Sequence, residues 1–406
     1  MNPQTLFALG SVVGWVVVVG AAWLLRSRFY AVFRAISLGL QITIIATLFQ
    51  RFEAAWPAVF YLQIAAFVHS VALIRPQLRP LWYRVLFSIP GAFFGAGAMF
   101  ALPWALFEAV GFPLPWPYLP FVASLIGVFQ SLTLREEERD VVVDGSNIQG
   151  IVRAPKHAAR VARPLKIVQI TDPHLGPFMS VERLQRIARS AVRRDPDLVV
   201  LTGDFLTMES MSDPTLLARA LEPLSELPGR VYACLGNHDH EALEIVVSAL
   251  EKIGAKLLVD DSTLVQTAAG PVQIVGADFH FRERAQNLVR VSAAHPRIPG
   301  AFRLVLLHDP GVFRHWPEGD ADLVLSGHTH GGQVGLVSLG LPYTLLRLFW
   351  KHPDHGFWAR GVDRLYVHRG TGHYGFPLRV GVPAENSLLR VHAPGWTAEE
   401  NGSPAE

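Results

Sequence analysis

Five short segments of this chain hold the residue types that bind metal ions. In order they are Thr171-Asp172-Pro173-His174, Gly203-Asp204, Gly236-Asn237-His238-Asp239, His308-Asp309 and Gly327-His328-Thr329-His330. Each follows a short apolar run such as Ile167 to Ile170, Leu198 to Leu201 or Leu323 to Leu325. One such pair is common in loops. An ordered set, each member placed after a predicted strand, points to metal ions held at one edge of a sheet.

The donors expected to reach metal are Asp172, His174, Asp204, Asn237, His308, His328 and His330. Oxygen and imidazole donors without thiolate suit Mn, Fe or Zn. Seven donors crowd one ion and suit two that share a bridging carboxylate. Such a pair polarises a phosphoryl group and supplies hydroxide at neutral pH. Asp-x-His and His-x-His would place both members on one face of an extended segment. His238 directly follows Asn237 and should point elsewhere, where it could hold a phosphate oxygen or protonate a leaving group. His373, in Arg369-Gly370-Thr371-Gly372-His373, is a candidate substrate-pocket residue; His240, His280 and His368 carry weaker signals.

The elements that must position these residues alternate strand and helix. A strand at 166–170 precedes an amphipathic helix at 181–194, with Ser180 as N-cap and Glu182 in its first turn. Strands at 197–202 and 230–235 precede helices near 214–227 and 241–253. Further strands are expected at 256–259, 272–275, 302–307, 323–325, 365–368 and 387–391. The pattern predicts an α/β domain with a two-sheet core and helices outside, and ligands gather beyond the carboxyl ends of strands in such folds. The domain is expected over 165–394, after a linker with lead-in strands at 135–164 and before a disordered tail at 395–406.

The first 134 residues are of another kind. They contain no Lys and no Asp, and only Arg26, Arg28, Arg34, Arg51, Glu53, Arg75, Arg79, Arg84 and Glu108 carry charge. Of the 16 histidines only His69 falls here. A bilayer span takes about 20 mostly apolar residues. The stretches 5–25, 30–50, 54–73, 85–110 and 117–134 predict a helical transmembrane domain of about five spans. Trp23, Trp56, Trp82, Trp104 and Trp116 fall near their ends, as an aromatic belt would place them, whereas Trp15 does not. Basic residues mark alternate loops, which predicts an inner-membrane protein with its C-terminal domain in the cytoplasm.

Whole-chain composition excludes some functions. With 36 basic and 34 acidic residues there is no nucleic-acid signature. The single cysteine, Cys234, rules out an internal disulfide and a cysteine zinc site, and its apolar neighbours make it a buried strand residue.

The ordered motifs resemble the calcineurin-like metallophosphoesterases over about residues 165–392. Gly331-Gly332-Gln333-Val334, Arg369-Gly370-x-Gly372 and Pro377-x-Arg379 are similar to the membrane-associated YkuE- and YaeI-like phosphodiesterase branch. The resemblance implies a four-layer α/β/β/α sandwich and two divalent metal ions. Asp172, His174 and His330 would hold one; Asn237, His308 and His328 would hold the other; Asp204 would bridge. His238 would be the catalytic histidine, oriented by Asp239, and a metal-bridging hydroxide the nucleophile. One departure is Pro383-Ala384-Glu385-Asn386, where the branch usually reads Pro-Glu-hydrophobic; it touches no expected ligand.

The stretch 341–358 interleaves Leu345, Leu346, Leu348, Phe349, Trp350 and Trp358 with Arg347, Lys351 and His352. It reads either as a helix or loop packed on the domain or as a membrane-facing lip. The resulting expectation is a membrane-anchored hydrolase of a phosphodiester or pyrophosphate, including a lipid-linked one such as UDP-diacylglucosamine, with membrane lipids as its surroundings. The alternatives are a metal- and phosphate-binding sensor or docking protein without turnover, and a transporter with a regulatory phosphatase domain. The intact His238 argues against the first. The lack of paired charges within the spans argues against the second.

Overall fold

Short strands, the central ones buried on both faces, build two sheets that share one core. In a computed structural model describing residues 2–154, 161–394 and 396, thirteen strands are present among those residues. They are β1 (Arg135–Val142), β2 (Ile148–Arg153), β3 (Leu165–Ile170), β4 (Leu198–Leu201), β5 (Val231–Ala233), β6 (Lys256–Leu257), β7 (Asp261–Thr267), β8 (Gly270–Ala277), β9 (Phe302–Leu307), β10 (Leu323–Ser326), β11 (Gly356–Gly361), β12 (Asp363–Val367) and β13 (Glu385–His392). The first sheet runs β1-β13-β3-β4-β5-β6 and the second β2-β11-β12-β10-β9-β8-β7. Both are mixed: β3, β4, β5 and β6 are parallel neighbours, as are β8, β9, β10 and β12.

The two-residue period of a strand sorts the side chains into layers. Leu304 and Leu306 of β9 face Ile167, Leu198, Val200 and Cys234 of the first sheet in one core. Val305 and Leu307 point the other way, onto Leu288 and Val291 of the helix Arg284–Ala294. The helices Val181–Arg193, Leu216–Leu221 and Leu243–Lys252 belong to the first sheet, joining β3 to β4, β4 to β5 and β5 to β6. Ser180 caps the first of them by accepting from Arg183 N, as its sequence predicts.

The lead-in strands are present and complete both sheets: β1 pairs with β13 and β2 with β11. The two-sheet unit therefore begins at residue 133 rather than 165. The charge-rich segment Arg135–Asp140 lacks apolar alternation and does not read as a strand. Arg390 holds it in register through Glu138 and Asp140, at 3.1 and 2.9 Å. The stretch 341–358 forms a four-residue helical turn at Leu346–Phe349, and its last three residues begin β11. The expected tail at 395–406 lies outside the described residues except for Trp396, as do residues 155–160 of the expected linker.

The other unit comprises Met1–Leu132 with the short segments Met208–Ser212 and Tyr374–Val380. Among the described residues, three helical runs are long and apolar enough to cross a membrane: Pro3–Leu25, Arg28–Ala72 and Leu81–Phe100. The second contains two helices, Arg28–Leu48 and Trp56–Ala72, joined by a 3₁₀ segment with Phe52 out of helical geometry. Tyr30 Oη donates to the Ser70 carbonyl at 2.9 Å and Gln41 Nε2 to Gln63 Oε1 at 3.4 Å, so the two helices run antiparallel. The expected span 85–110 ends at Phe100, and a new helix starts at Leu102 with Pro103 in its first turn. The last helix, Leu119–Leu132, has 14 residues, about 21 Å of rise.

Candidate metal centre

The strands that point the same way deliver their carboxyl ends to one place. β3 leads into Asp172 and His174, β4 into Asp204, β5 into Asn237 and His238, β9 into His308, and β10 into His328 and His330. Two clusters result, Asp172–His174–His330 and Asp204–His308–His328, with donor atoms in each within 4.8 Å of one another. Asp204 stands between them. Its Oδ2 lies 3.2 Å from His308 Nε2 and 3.7 Å from His174 Nε2.

The turns that achieve this are unusual. Asp172, His174, Asp204, His328 and His330 all have φ between 44° and 66°. Side chains other than glycine rarely adopt this left-handed region, and it clusters at functional sites. The expected extended geometry of Asp-x-His and His-x-His is therefore replaced by tight turns. The consequence is visible at His328 and His330: the turn sends them to different clusters instead of one face. Glycine clears the space beside the carboxylates. A methyl group on Gly327 would sit 2.2 Å from Asp172 Oδ2, and one on Gly236 would sit 2.3 Å from Asp204 Oδ1.

Each donor is oriented by a second contact. The Thr202 carbonyl can only accept, so at 2.6 Å His308 Nδ1 carries the proton and Nε2 turns to the site. The Leu206 carbonyl stands 3.4 Å from His174 Nδ1. Both oxygens of Asp172 accept from His328 N at 3.0 Å, and Thr171 Oγ1 donates to Oδ2 at 2.8 Å. Asp204 Oδ1 accepts from His238 N at 2.9 Å.

The ionisable groups of the centre act on one another. Burial opposes ionisation of Asp204, yet the charge and hydrogen bond of His308 hold it well below the ordinary range. Asp204 in turn overcomes burial and drives His308 up to about 10. Burial pushes His174 down to about 3 and His328 down to about 4, which keeps them neutral donors. His328 Nδ1 and His308 Nε2 face each other at 3.2 Å. Asn237 Oδ1 is buried and meets no hydrogen-bond donor among the described residues, although buried polar atoms ordinarily find one. A carbonyl oxygen left without a donor beside imidazoles and carboxylates fits a metal ligand.

Two expected roles change. Asp239 does not orient His238. Its carboxylate accepts from the backbone N–H of Asp204, Phe205 and Gly236 at 2.8, 2.9 and 2.7 Å, clamping two of the metal turns together. Burial and the neighbouring Asp204 charge push it up to about 7, against those three donors. The partner of His238 is Glu241, whose Oε1 lies 2.8 Å from Nδ1. Glu241 sits on the next turn and has no signature in the sequence beyond its i+3 spacing. The His238 ring is 5.6 Å from that of His174, at the edge of the centre.

His373 packs on Phe178 with ring centroids 4.8 Å apart. Its neighbours hold the first metal turn, Thr371 N and Gly372 N donating to the carbonyls of Thr171 and Asp172 at 2.8 and 2.9 Å. Glu385 supports this loop from below. It pairs with Arg369 Nε at 3.2 Å and accepts from Tyr366 and Ser387, while Arg369 reaches Glu137 at 2.6 Å. His240 and His280 are paired with Asp278 and Asp260, each at 3.0 Å.

A model of the calcineurin-like phosphoesterase family matches residues 165–332. The chain is 30% identical over 244 residues to the uncharacterized metallophosphoesterase YkoQ of Bacillus subtilis, covering 56% of this chain and 84% of that one. It is 28% identical over 234 residues to the phosphodiesterase YaeI of Escherichia coli, covering 57% and 83%. A transmembrane protein with metallophosphoesterase domain from Bos taurus is 27% identical over 251 residues, covering 56% of this chain and 53% of its own.

Proposed function

This chain belongs to the calcineurin-like phosphoesterases, and from that premise we propose a membrane-anchored phosphodiesterase that uses two divalent ions, Mn, Zn or Fe. Asp172, His174 and His330 would hold one ion, and Asn237, His308 and His328 the other. The observation that carries the reading is Asp204 Oδ2, placed within reach of both donor clusters. When bound, the ions would polarise the phosphoryl oxygens and supply hydroxide at neutral pH.

The chain's own residues do the rest. Glu241 holds His238 at Nδ1, which makes Nε2 the atom that meets the substrate. In hydrolysis water adds at phosphorus, one P–O ester bond breaks, and His238 gives a proton to the departing oxygen. Asp239 keeps the Asp204 and Asn237 turns in register through its three backbone hydrogen bonds. His373 and the loop before it line the Asp172 side and would contact the substrate.

The membrane part of the proposal is an anchor of about five spans in the inner membrane, with the two-sheet unit on the cytoplasmic side. The apolar helical runs and the alternate basic loops support it. The substrate would be a phosphodiester borne by a lipid.

The purified full-length chain is expected to carry about two ions by elemental analysis and to hydrolyse bis-p-nitrophenyl phosphate with Mn. Asp204→Asn should lower both metal content and turnover. Retained turnover in a protein stripped of metal would overturn the two-ion reading.

A further inference from the structure

We infer that the lobe at residues 336–350 is a lipid-surface contact that presents a lipid-borne phosphodiester to the His328–His330 turn; the substrate half of this rests on the phosphoesterase reading. Leu339, Leu341, Tyr343, Leu348, Phe349 and Trp350 are all exposed in the lobe, with Leu348 at 76% and Phe349 at 75%. Elsewhere in the two-sheet unit, large exposed apolar residues occur singly, as at Val152, Leu264 and Phe281. Scattered apolar residues are normal on a protein in water, whereas a contiguous group marks an interaction surface.

The lobe is tied to the metal turn. Leu336 N donates to the Tyr343 carbonyl and Leu345 N to the Val334 carbonyl, both at 2.8 Å, closing a hairpin. Thr344 Oγ1 donates to Asp354 Oδ2 at 2.6 Å, and Thr329 Oγ1 donates to the Asp354 carbonyl at 2.6 Å. Thr329 stands between His328 and His330, so one residue, Asp354, fastens both the lobe and the metal ligands. Leu346 packs on Gly332, where an added methyl group would lie 2.8 Å from its Cβ. The lobe is thus a braced projection of the turn that carries two metal donors.

Its chemistry selects a bilayer over a protein partner. Arg347 and Lys351 are exposed, and residues 336–353 contain no Asp or Glu. Leucine, aromatic and basic residues together describe a segment seated about 5–10 Å into the head-group boundary. The same chain contains helices apolar enough to cross a bilayer, so lipid is the surface available to it.

The test uses the full-length chain in nanodiscs. Leu348→Cys is labelled with an environment-sensitive fluorophore; the native Cys234 is buried. Nitroxide-bearing lipids should quench the Leu348→Cys probe at least three-fold more than a probe at exposed Leu264→Cys. Equal quenching would overturn the contact, and so would a lipid-independent emission shift that grows with protein concentration, which would assign the lobe to a second copy. A triple variant, Leu348→Ser, Phe349→Ser and Trp350→Ser, should lose at least ten-fold turnover on the p-nitrophenyl phosphodiester of diacylglycerol while keeping its rate on bis-p-nitrophenyl phosphate. Equal loss on both substrates, or on neither, would refute delivery by the lobe. If the unaltered protein cleaves neither substrate with two ions bound, the phosphoesterase reading fails and the quenching result still decides the lipid contact.

Discussion

The two units of this molecule sort their side chains in opposite ways. In the two-sheet unit the core strands β3, β4, β9 and β10 are buried along their apolar residues, and charged groups that are buried, such as Arg303, Arg360 and Glu385, are held in ion pairs. In the helical unit Leu24 and Phe29 are 81% and 85% exposed, while Gln41, Gln63, Ser70 and Ser88 are buried. Large apolar groups facing outward and small or polar groups facing inward suit hydrocarbon surroundings, where helices gain little from burying leucine. The difference teaches that each unit is matched to its own solvent. The lobe at 336–350 is the place where the water-facing unit borrows the surface of the other.

The largest effect expected concerns the one polar side chain of the centre that is assigned to chemistry and not to metal. His238→Ala should lower kcat by roughly 10²–10⁴-fold with metal content unchanged by elemental analysis. Metal loss together with activity would instead make His238 a structural member of the centre.

Next is Glu385, a carboxylate wholly inside the water-facing unit. Burial disfavours its charge, yet His368, Arg369 and donors from Ser387 and Tyr366 hold it well below its ordinary 4.5. A carboxyl group depressed on folding contributes stability fully above its unfolded value and loses it as pH falls toward the folded one. Thermal unfolding of the unaltered protein should therefore shift downward below about pH 4.5. Glu385→Ala, which strands the buried Arg369, should cost roughly 3–5 kcal/mol at neutral pH. A pH profile unchanged by Glu385→Gln would refute the assignment.

The smallest effect tests the contrast between solvents directly. Val17→Asp, on an exposed position of the helix Pro3–Leu25, should disfavour membrane insertion by roughly 2.5–3.5 kcal/mol. Val259→Asp, exposed in the two-sheet unit, should change its stability by no more than about 0.5 kcal/mol. Comparable recovery of both variants from membranes would break the comparison.

Much of this was legible in the residues. Strands that are buried on both faces, such as 198–201 and 302–307, show as mostly apolar runs, and the candidate metal donors follow within a few residues. β1 was not legible, because Glu136, Glu137 and Glu138 carry no strand pattern and pair with arginines distant in sequence. The sequence points to Asp239 and not Glu241 as the partner of His238. Both are acidic and close in sequence, and only the fold shows that backbone amides occupy one of them.

Composition and order alone determined that a nearly uncharged helical region precedes an α/β domain, and which side chains are candidate metal donors. Those properties are local: apolar runs of a given length, and donors directly after strands. The tertiary structure decided how the donors divide, that Asp204 lies between them, that Asp239 clamps turns while Glu241 holds His238, and that the lobe is fastened through Asp354 to the metal turn. Each of these depends on left-handed turns and on contacts between residues far apart in the chain, and no local pattern encodes such pairings.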